Sequence, residues 1–406
     1  MDLLVKPPGR ASAPTPREVE RPPEREGYGD GGGIRRVVAT RSDQTLVYIT
    51  LSLVLVGLMS VFTASAAQAD LETGNSIAIL FKQVLSAILG GLLLVAMSRF
   101  SFERLKFLAH PLAFASIGLL LLTMLVGTTA NGSERWIMLP FGFQFQPSDL
   151  AKVAAILLMA QATSQPRLFN GTGMFNLALI TGMIALIYQQ PNLSVSMILG
   201  MMTVAMLFVA GLSLHVLVPS LCGIAYVVSK KVAQTPYQME RITGWIDPWR
   251  DPLDTGYNLI QSYYAVGAGG LFGAGLGNSI QKLYYLPFQH TDFIFSVICE
   301  EWGFFGAAIV LGLFGLLAWR GFTIAWQCPS HFGRMLAFGL TLAITLQAII
   351  NICVTIGLMP VTGVTLPLIS YGGTSMIVTL GMIGILLNIS RYRTVQMRQQ
   401  LADLGD

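Results

Sequence analysis

The sequence predicts an all-α polytopic membrane protein: a bundle of ten transmembrane helices with both termini in the cytoplasm and large extracytoplasmic loops. Three observations lead there. Of 406 residues, 53% are hydrophobic and 11% charged, with a mean hydropathy of +0.62, whereas a soluble domain is about one quarter charged. Apolar runs recur along the whole chain after residue 44. The basic residues are unevenly divided between alternate connecting segments, as expected for a chain threaded back and forth across a bilayer. Together these exclude a soluble enzyme, and the scattered distribution of 42 Gly and 19 Pro excludes a collagen-like chain. The formal charge of +4 is too small to argue for a nucleic-acid partner.

Residues 1–44 differ from the rest. Six prolines between Pro7 and Pro23, mixed Arg and Glu, and the run Gly31 to Gly33 cannot bury enough apolar surface to repay ordering. A disordered cytoplasmic tail is expected. With no early apolar core or cleavage site, the tail is not a secretory signal, and the first span serves as the uncleaved one. The membrane domain is expected over 45–392, followed by a short cytoplasmic tail, 393–406. Its spans fall near Leu46–Ala67, Ile77–Met97, Pro111–Gly127, Leu150–Thr163, Met174–Tyr188, Leu193–Gly211, Leu214–Val228, Phe293–Ala318, Leu336–Gly357 and Thr374–Ser390. Several are shorter than the roughly 20 residues of a full crossing, which suits helices buried among neighbours around a polar cavity.

With the N-terminus inside, one set of segments holds 17 of the 25 basic residues, including Arg99, Arg104, Arg167, Arg320, Arg334 and Arg391. That set is therefore cytoplasmic. The opposite side receives three unusual segments, near 128–149, 229–292 and 358–373. Four cysteines, Cys222, Cys299, Cys328 and Cys353, are far apart in or near apolar runs and read as packing residues.

The first outer segment runs from Asn131-Gly-Ser-Glu-Arg-Trp136 to Gln146-Pro-Ser-Asp149, with Lys152 three residues on. Arg135 and Trp136 read equally as an interfacial anchor with a snorkelling arginine. Ser148 or Asp149 can cap the following helix. A lysine at Lys152's depth is a functional candidate, and an Arg–Lys pair suits a pyrophosphate, one offering a planar fork and the other a compact charge. The second segment contains Arg241, Asp247-Pro-Trp249 and the glycine run Gly267 to Gly277. That run lacks the βαβ context of a nucleotide fingerprint, so close backbone packing or a re-entrant turn explains it better. The segment ends at His290-Thr-Asp292, followed within the next span by Glu300 and Glu301. Asp292 is either a helix N-cap or a carboxylate base at the membrane surface. The two glutamates suit structural duty, one pairing with Lys82 or another basic residue. The third segment, Met359 to Met376, combines prolines, glycines and hydroxyls, Ser370 and Tyr371 among them. It cannot continue a helix through lipid and should be a re-entrant loop facing a polar cavity.

In these motifs the chain resembles the SEDS family (shape, elongation, division and sporulation), comprising FtsW, RodA and SpoVE proteins. The residues that carry the likeness are Arg135-Trp-Ile, Gln146-Pro-Ser-Asp with Lys152, Gln190-Pro-Asn, Arg241 with Asp247-Pro-Trp, Gly273-Ala-Gly-Leu-Gly, His290-Thr-Asp-Phe-Ile-Phe with Glu300-Glu, and Leu366-Pro-Leu-Ile-Ser-Tyr-Gly-Gly. Within the family the chain looks more like the division branch, FtsW, than RodA. The resemblance implies polymerisation of lipid II into glycan strands at the outer face of the bacterial inner membrane, with release of undecaprenyl pyrophosphate. It also implies a class B penicillin-binding protein and other divisome proteins as partners. Asp292 matches the family's catalytic aspartate. Arg135, Trp136, Lys152, Arg241, Ser370 and Tyr371 are then expected to contact substrate. No cofactor is demanded, although a divalent cation, Mg or Mn, could assist. Three departures stand out: Phe288 and Asn192 where many members carry a carboxylate, and Asp149 where Glu is common. The competing readings are a lipid II flippase using Lys82 and Lys152 as stations, an elongation polymerase like RodA, and a scaffold of the division complex.

Overall fold

Helix α1 (Gln44–Thr73) starts where the tail composition ends, because the Asp43 carboxylate caps it by accepting from the Leu46 N–H at 3.1 Å. It stops at Gly74, whose left-handed φ of 65° lets its N–H close back on Asp70. There follow α2 (Ala78–Arg99), α3 (Phe102–Val126), α4 (Pro147–Thr163), α5 (Gly171–Gln189), α6 (Leu193–Val209), α7 (Leu214–Gln234), α8 (Pro236–Ile246), α9 (Tyr257–Gly269), α10 (Ile294–Gln327), α11 (His331–Thr355) and α12 (Gly373–Ile389). The computed structural model describes residues 35–39, 42–126, 128–130, 133–139, 143–165, 170–190, 192–283 and 285–396. These elements belong to one compact unit, Val37–Thr394; a second, Met1–Arg36 with Val395–Asp406, is described only at 35–36 and 395–396. The predicted tails thus fall almost wholly outside the described residues. Two short strands, β1 (Arg35–Ala39) and β5 (Tyr392–Gln396), fall inside them nonetheless, where Val37, Val38, Thr394 and Val395 favour extended backbone.

Each of the ten predicted runs falls on a helix. Among the described residues seven helices, α1, α2, α3, α5, α7, α10 and α11, are long and apolar enough to cross a membrane. Three more, α4, α6 and α12, have 17 residues each. Such short helices sit in the bundle because their neighbours supply the burial. Nearly every side chain of α4 is buried, as is 72% of α11's most apolar window, so these two form the centre. Around them α2 and α12 approach closely through small residues: a Cβ at Gly384 would lie 2.5 Å from the Leu94 carbonyl oxygen.

The expectation of an all-α chain needs correction between α3 and α4. Thr128–Ala130 (β2), Ser133–Leu139 (β3) and Phe143–Phe145 (β4) form an antiparallel sheet in that order, with Ile137 opposite Phe145. Thr128, Thr129, Trp136, Ile137, Phe143 and Phe145 are residue types of high strand propensity.

Helix α10 runs 34 residues, well beyond its predicted end, through a break at Gly303 (φ 66°, ψ −161°). The carbonyls of Glu300 and Glu301 turn to the N–H groups of Ala274 and Gly275, at 2.9 and 3.0 Å, and Phe304 N–H donates to Gly270 at 2.9 Å. This is the duty of the glycine run. A Cβ at Gly273 would stand 2.2 Å from the Glu301 carbonyl oxygen, so the loop reaches the break only without side chains. The glutamate side chains complete the clamp. Glu300 accepts from Ser279 Oγ and from the Ile280 N–H at 2.8 Å, and Glu301 pairs with Lys282 at 3.0 Å. The predicted structural role is met, with Lys282 rather than Lys82 as the cation.

At one end of the bundle, helix termini are tied together by polar groups. Arg320 pairs with Asp43, whose N–H donates to Ser390 Oγ at 3.0 Å. Asn388 bridges the Phe102 N–H and the Ser98 carbonyl. Arg320 belongs to the basic set assigned to the inside, as does Arg99, the last residue of α2. The four cysteines are free, and burial pushes the Cys328 thiol up to about 11, which keeps it an inert packing group. At the other end the three unusual loops meet.

Candidate active site

Between those loops and the ends of α2, α4, α8 and α11 lies a cavity of about 680 Å³. Asp292 lines it, placed by a turn rather than by a helix cap. Phe288 adopts a left-handed φ of 58°, and its carbonyl accepts from the N–H groups of Thr291 and Phe293 at 3.1 and 3.3 Å. Phe293, with no side-chain capping bond, is the residue that precedes α10, so the N-cap alternative for Asp292 does not hold. The Asn351 amide donates to the Asp292 carbonyl at 2.8 Å. Opposite, Gly363 has φ 64°, and a Cβ there would lie 3.4 Å from Asp292 Oδ2. A non-glycine residue in a left-handed conformation is uncommon, and Phe288 and Leu368 place two such turns in loops beside this cavity.

Lys152 projects from the first turns of α4. It is buried, pairs with Asp149 at 2.9 Å, and donates to Gln347 Oε1 of α11 at 2.8 Å. The expected capping role of Ser148 or Asp149 is absent: Gln146 precedes the helix without a side-chain bond, and Pro147 opens it. Asp149 is instead the partner of Lys152. Arg241, on α8, donates to the Val361 carbonyl at 3.1 Å and to the Tyr237 hydroxyl, its guanidinium 4.5 Å from the Tyr237 ring centroid. Both cations line the cavity with Asp292, and so do Trp136, half-buried on β3, and Tyr371.

Tyr371 is held by its N–H to the His290 carbonyl at 2.9 Å and by ring contact with His290 at 5.6 Å. Burial raises its phenol above the ordinary range, so it acts as a neutral hydrogen-bonding group. Ser370 differs from expectation. It is not on the cavity wall; its buried hydroxyl donates to the Thr291 carbonyl at 2.6 Å and accepts from Leu366 N–H at 2.8 Å. It ties the third loop to the Asp292 turn. The Arg135 side chain lies outside the described residues.

The wall and the residues behind it also hold groups outside the substrate set expected from the sequence. Lys82 of α2 lines the cavity and makes no ion pair among the described residues. Its neighbour Gln83, fully buried, donates to the Ser370 carbonyl at 3.1 Å. Gln347 and Asn351 of α11 were detectable only as amides four residues apart inside an apolar span, a pattern that marks polar duty in membranes. Among the described residues, the wall sets Lys82, Lys152 and Arg241 against Asp149, Glu240, Asp254 and Asp292.

The model of the FtsW, RodA and SpoVE family, described as cell cycle proteins, matches residues 43–395. The chain belongs to this family. Its relatives include a probable peptidoglycan glycosyltransferase FtsW from Geobacter sp. (strain M18), 39% identical over 358 residues, covering 86% of this chain and 96% of the relative. Stage V sporulation protein E from Bacillus subtilis (strain 168) is also 39% identical, over 360 residues, 87% of this chain and 98% of that one. Of solved structures, a chain from a peptidoglycan synthase complex coordinating polymerization and crosslinking matches with a TM-score of 0.72 at 35% identity, covering 86% of this chain and 98% of that one. Thermus thermophilus rod shape determining protein RodA matches with a TM-score of 0.65 at 30% identity, covering 86% and 97%. The chain is thus a multi-pass membrane protein of the FtsW, RodA and SpoVE family, with the cavity among its loops.

Proposed function

We propose that this chain is a peptidoglycan glycosyltransferase that polymerises lipid II at the outer face of the bacterial cytoplasmic membrane, serving septal synthesis. One observation carries the reading: Asp292, Lys152 and Arg241, drawn from three separate segments, line one cavity in a chain whose FtsW relatives are named probable peptidoglycan glycosyltransferases. The carboxylate of Asp292 takes the proton of the acceptor's 4-hydroxyl as that oxygen bonds to the anomeric carbon of the growing strand's terminal sugar. The bond from that carbon to the pyrophosphate breaks with its electron pair, and undecaprenyl pyrophosphate leaves. An α donor linkage and a β product require one inverting displacement. General-base help is worth about 10²–10⁴-fold, and Lys152, Arg241 and Arg135 supply charge where the leaving group develops it.

Among the described residues no three His, Cys, Asp or Glu side chains are grouped to hold a metal ion. No step is routed through a divalent cation. A class B penicillin-binding protein as partner is supported by the synthase complex to which the fold is similar.

The test is polymerisation of labelled lipid II by full-length protein with its cognate transpeptidase. Asp292→Ala should lower the rate on the order of 10²–10⁴-fold; a variant as fast as wild type defeats the general-base assignment. If neither protein polymerises while lipid II still crosses vesicle membranes, the flippase reading replaces this one. Depletion should give filaments, the division phenotype, and round cells would point to elongation.

A further inference from the structure

Asp292 and Lys152 come from different parts of the chain, and their separation has to be set by something that reaches both. Helix α11 does. Gln347 and Asn351 are four residues apart and so share one face of it. Gln347 accepts from Lys152 Nζ at 2.8 Å and donates to the Thr365 carbonyl at 3.0 Å. One turn on, the Asn351 amide donates to the Asp292 carbonyl at 2.8 Å and to the Val364 carbonyl at 2.7 Å. Val364 and Thr365 are consecutive, so both amides hold the same stretch of the third loop. A further turn along, the Thr355 carbonyl accepts from Ser262 Oγ at 2.6 Å, and that hydroxyl meets Ser296 Oγ of α10 at 2.6 Å. The helix that begins just after Asp292 is thereby pinned to the same ruler.

Both amides are buried, Gln347 to 6% exposure and Asn351 to 1%. Asn351 Oδ1 has no donor among the described residues. A buried amide that leaves its own oxygen unmet while holding two carbonyls is a poor choice for stability alone. It suits a position whose task is to fix those two carbonyls. We infer that Gln347 and Asn351 are positioning residues for glycosyl transfer, holding the Asp292 carboxylate and the Lys152 ammonium at a fixed separation through the shared Val364–Thr365 backbone. This rests on the proposed role of Asp292 as base. A misplacement of about 1 Å costs on the order of 10²-fold in rate, so a small loss of register is enough to register in turnover.

The experiment compares Asn351→Leu and Gln347→Met, each near the native volume, in full-length protein with its cognate transpeptidase, measuring kcat, KM for lipid II and melting temperature. Asn351→Leu should lower kcat on the order of 10²-fold with KM within about two-fold, because only the base is displaced. Gln347→Met should lower kcat about ten-fold with KM within about two-fold, because Lys152 loses the acceptor that aims it at the charge developing on the leaving group. Melting temperatures should stay within a few degrees of wild type. If Asn351→Leu gives no folded protein, the fall in kcat for Gln347→Met at unchanged melting temperature decides alone. The inference fails if kcat of Asn351→Leu stays within two-fold of wild type. It fails equally if both variants lose turnover only in proportion to lost folded protein, with KM unchanged. An inactive Asp292→Ala beside an unimpaired Asn351→Leu defeats the positioning role only, whereas a fully active Asp292→Ala defeats the base assignment and this inference with it.

Discussion

Two buried lysine–carboxylate pairs have almost the same chemistry and opposite settings. Lys152–Asp149 is 2.9 Å long with side chains 7% and 6% exposed; Lys282–Glu301 is 3.0 Å long with side chains 9% and 1% exposed. The first joins residues three apart in one helix, whose geometry the backbone already fixes, so the pair adds nothing to chain topology. It lines the cavity. The second ties the segment after the glycine run to α10 just before its break, and neither member is on the cavity wall. Burial and distance therefore do not distinguish a functional charge from a structural one. What distinguishes them is whether the pair closes a long loop or faces an open chamber.

The comparison breaks most readily at Lys282. Lys282→Met leaves Glu301 as an unpaired buried carboxylate, and such a loss costs about 3–5 kcal/mol. Thermal unfolding of the purified protein should show it, while turnover per folded molecule stays within about two-fold. Adding Glu301→Gln should recover most of the stability. Unchanged melting in the single variant would erase the contrast between the pairs.

Lys152→Met should give the reverse pattern. Asp149 then borders a chamber that admits water, so melting should move little. Turnover should fall on the order of 10²–10³-fold, the usual cost of removing a group aimed at developing charge. Equal turnover at equal stability would reassign Lys152 to structure.

That contrast also explains what the sequence could reveal. In a chain only 11% charged, Lys152, Arg241 and Asp292 stood out because each is an exception, and the structure does bring them to one cavity. The ten apolar runs fell on helices because hydropathy is a local, additive signal. Long-range partners were invisible. The passage of α10 through Gly303 depends on a loop some 30 residues earlier supplying N–H groups, and no local pattern reports that. The family resemblance implied that Ser370 contacts substrate, and only the Thr291 and Leu366 contacts give it a structural task. Asp149 looked like a cap, yet the nearby ammonium of Lys152 holds it instead. The sheet between α3 and α4 was missed because a loop of that length inside a helical membrane protein has no hydropathy signature of its own.

A smaller effect is expected on the other side of Asp292. Gly363→Ala must hold an L residue at φ 64°, at a cost of about 1–2 kcal/mol. Its methyl would meet Asp292 Oδ2 at 3.4 Å, an ordinary contact that removes water from one face of the carboxylate without displacing it. Turnover should fall about ten-fold or less, with the KM for lipid II within about two-fold. A loss as large as that of Asp292→Ala would mean that the third loop, and not the carboxylate alone, carries the chemistry.

The smallest change belongs to Tyr371. Its phenol faces the cavity, and burial raises its pKa, so it keeps its proton beyond the ordinary value near 10. Tyr371→Phe removes one neutral hydroxyl, whose hydrogen bond to a bound substrate would be worth about 0.5–1.5 kcal/mol, and the His290 ring contact survives. Turnover should fall about two- to ten-fold. The alkaline limb of the rate profile should match wild type up to about pH 10, because the native phenol has not ionised there. The linkage has a definite sign: above the unfolded value near 10, the unfolded chain releases this proton while the folded one retains it, so stability falls as pH rises. Wild type should therefore lose slightly more stability than Tyr371→Phe as pH rises above about 10. A loss of wild-type activity centred below pH 10 that disappears in Tyr371→Phe would show that the phenol ionises in the cavity, and with it that a neutral wall around Asp292 is the wrong description of the site.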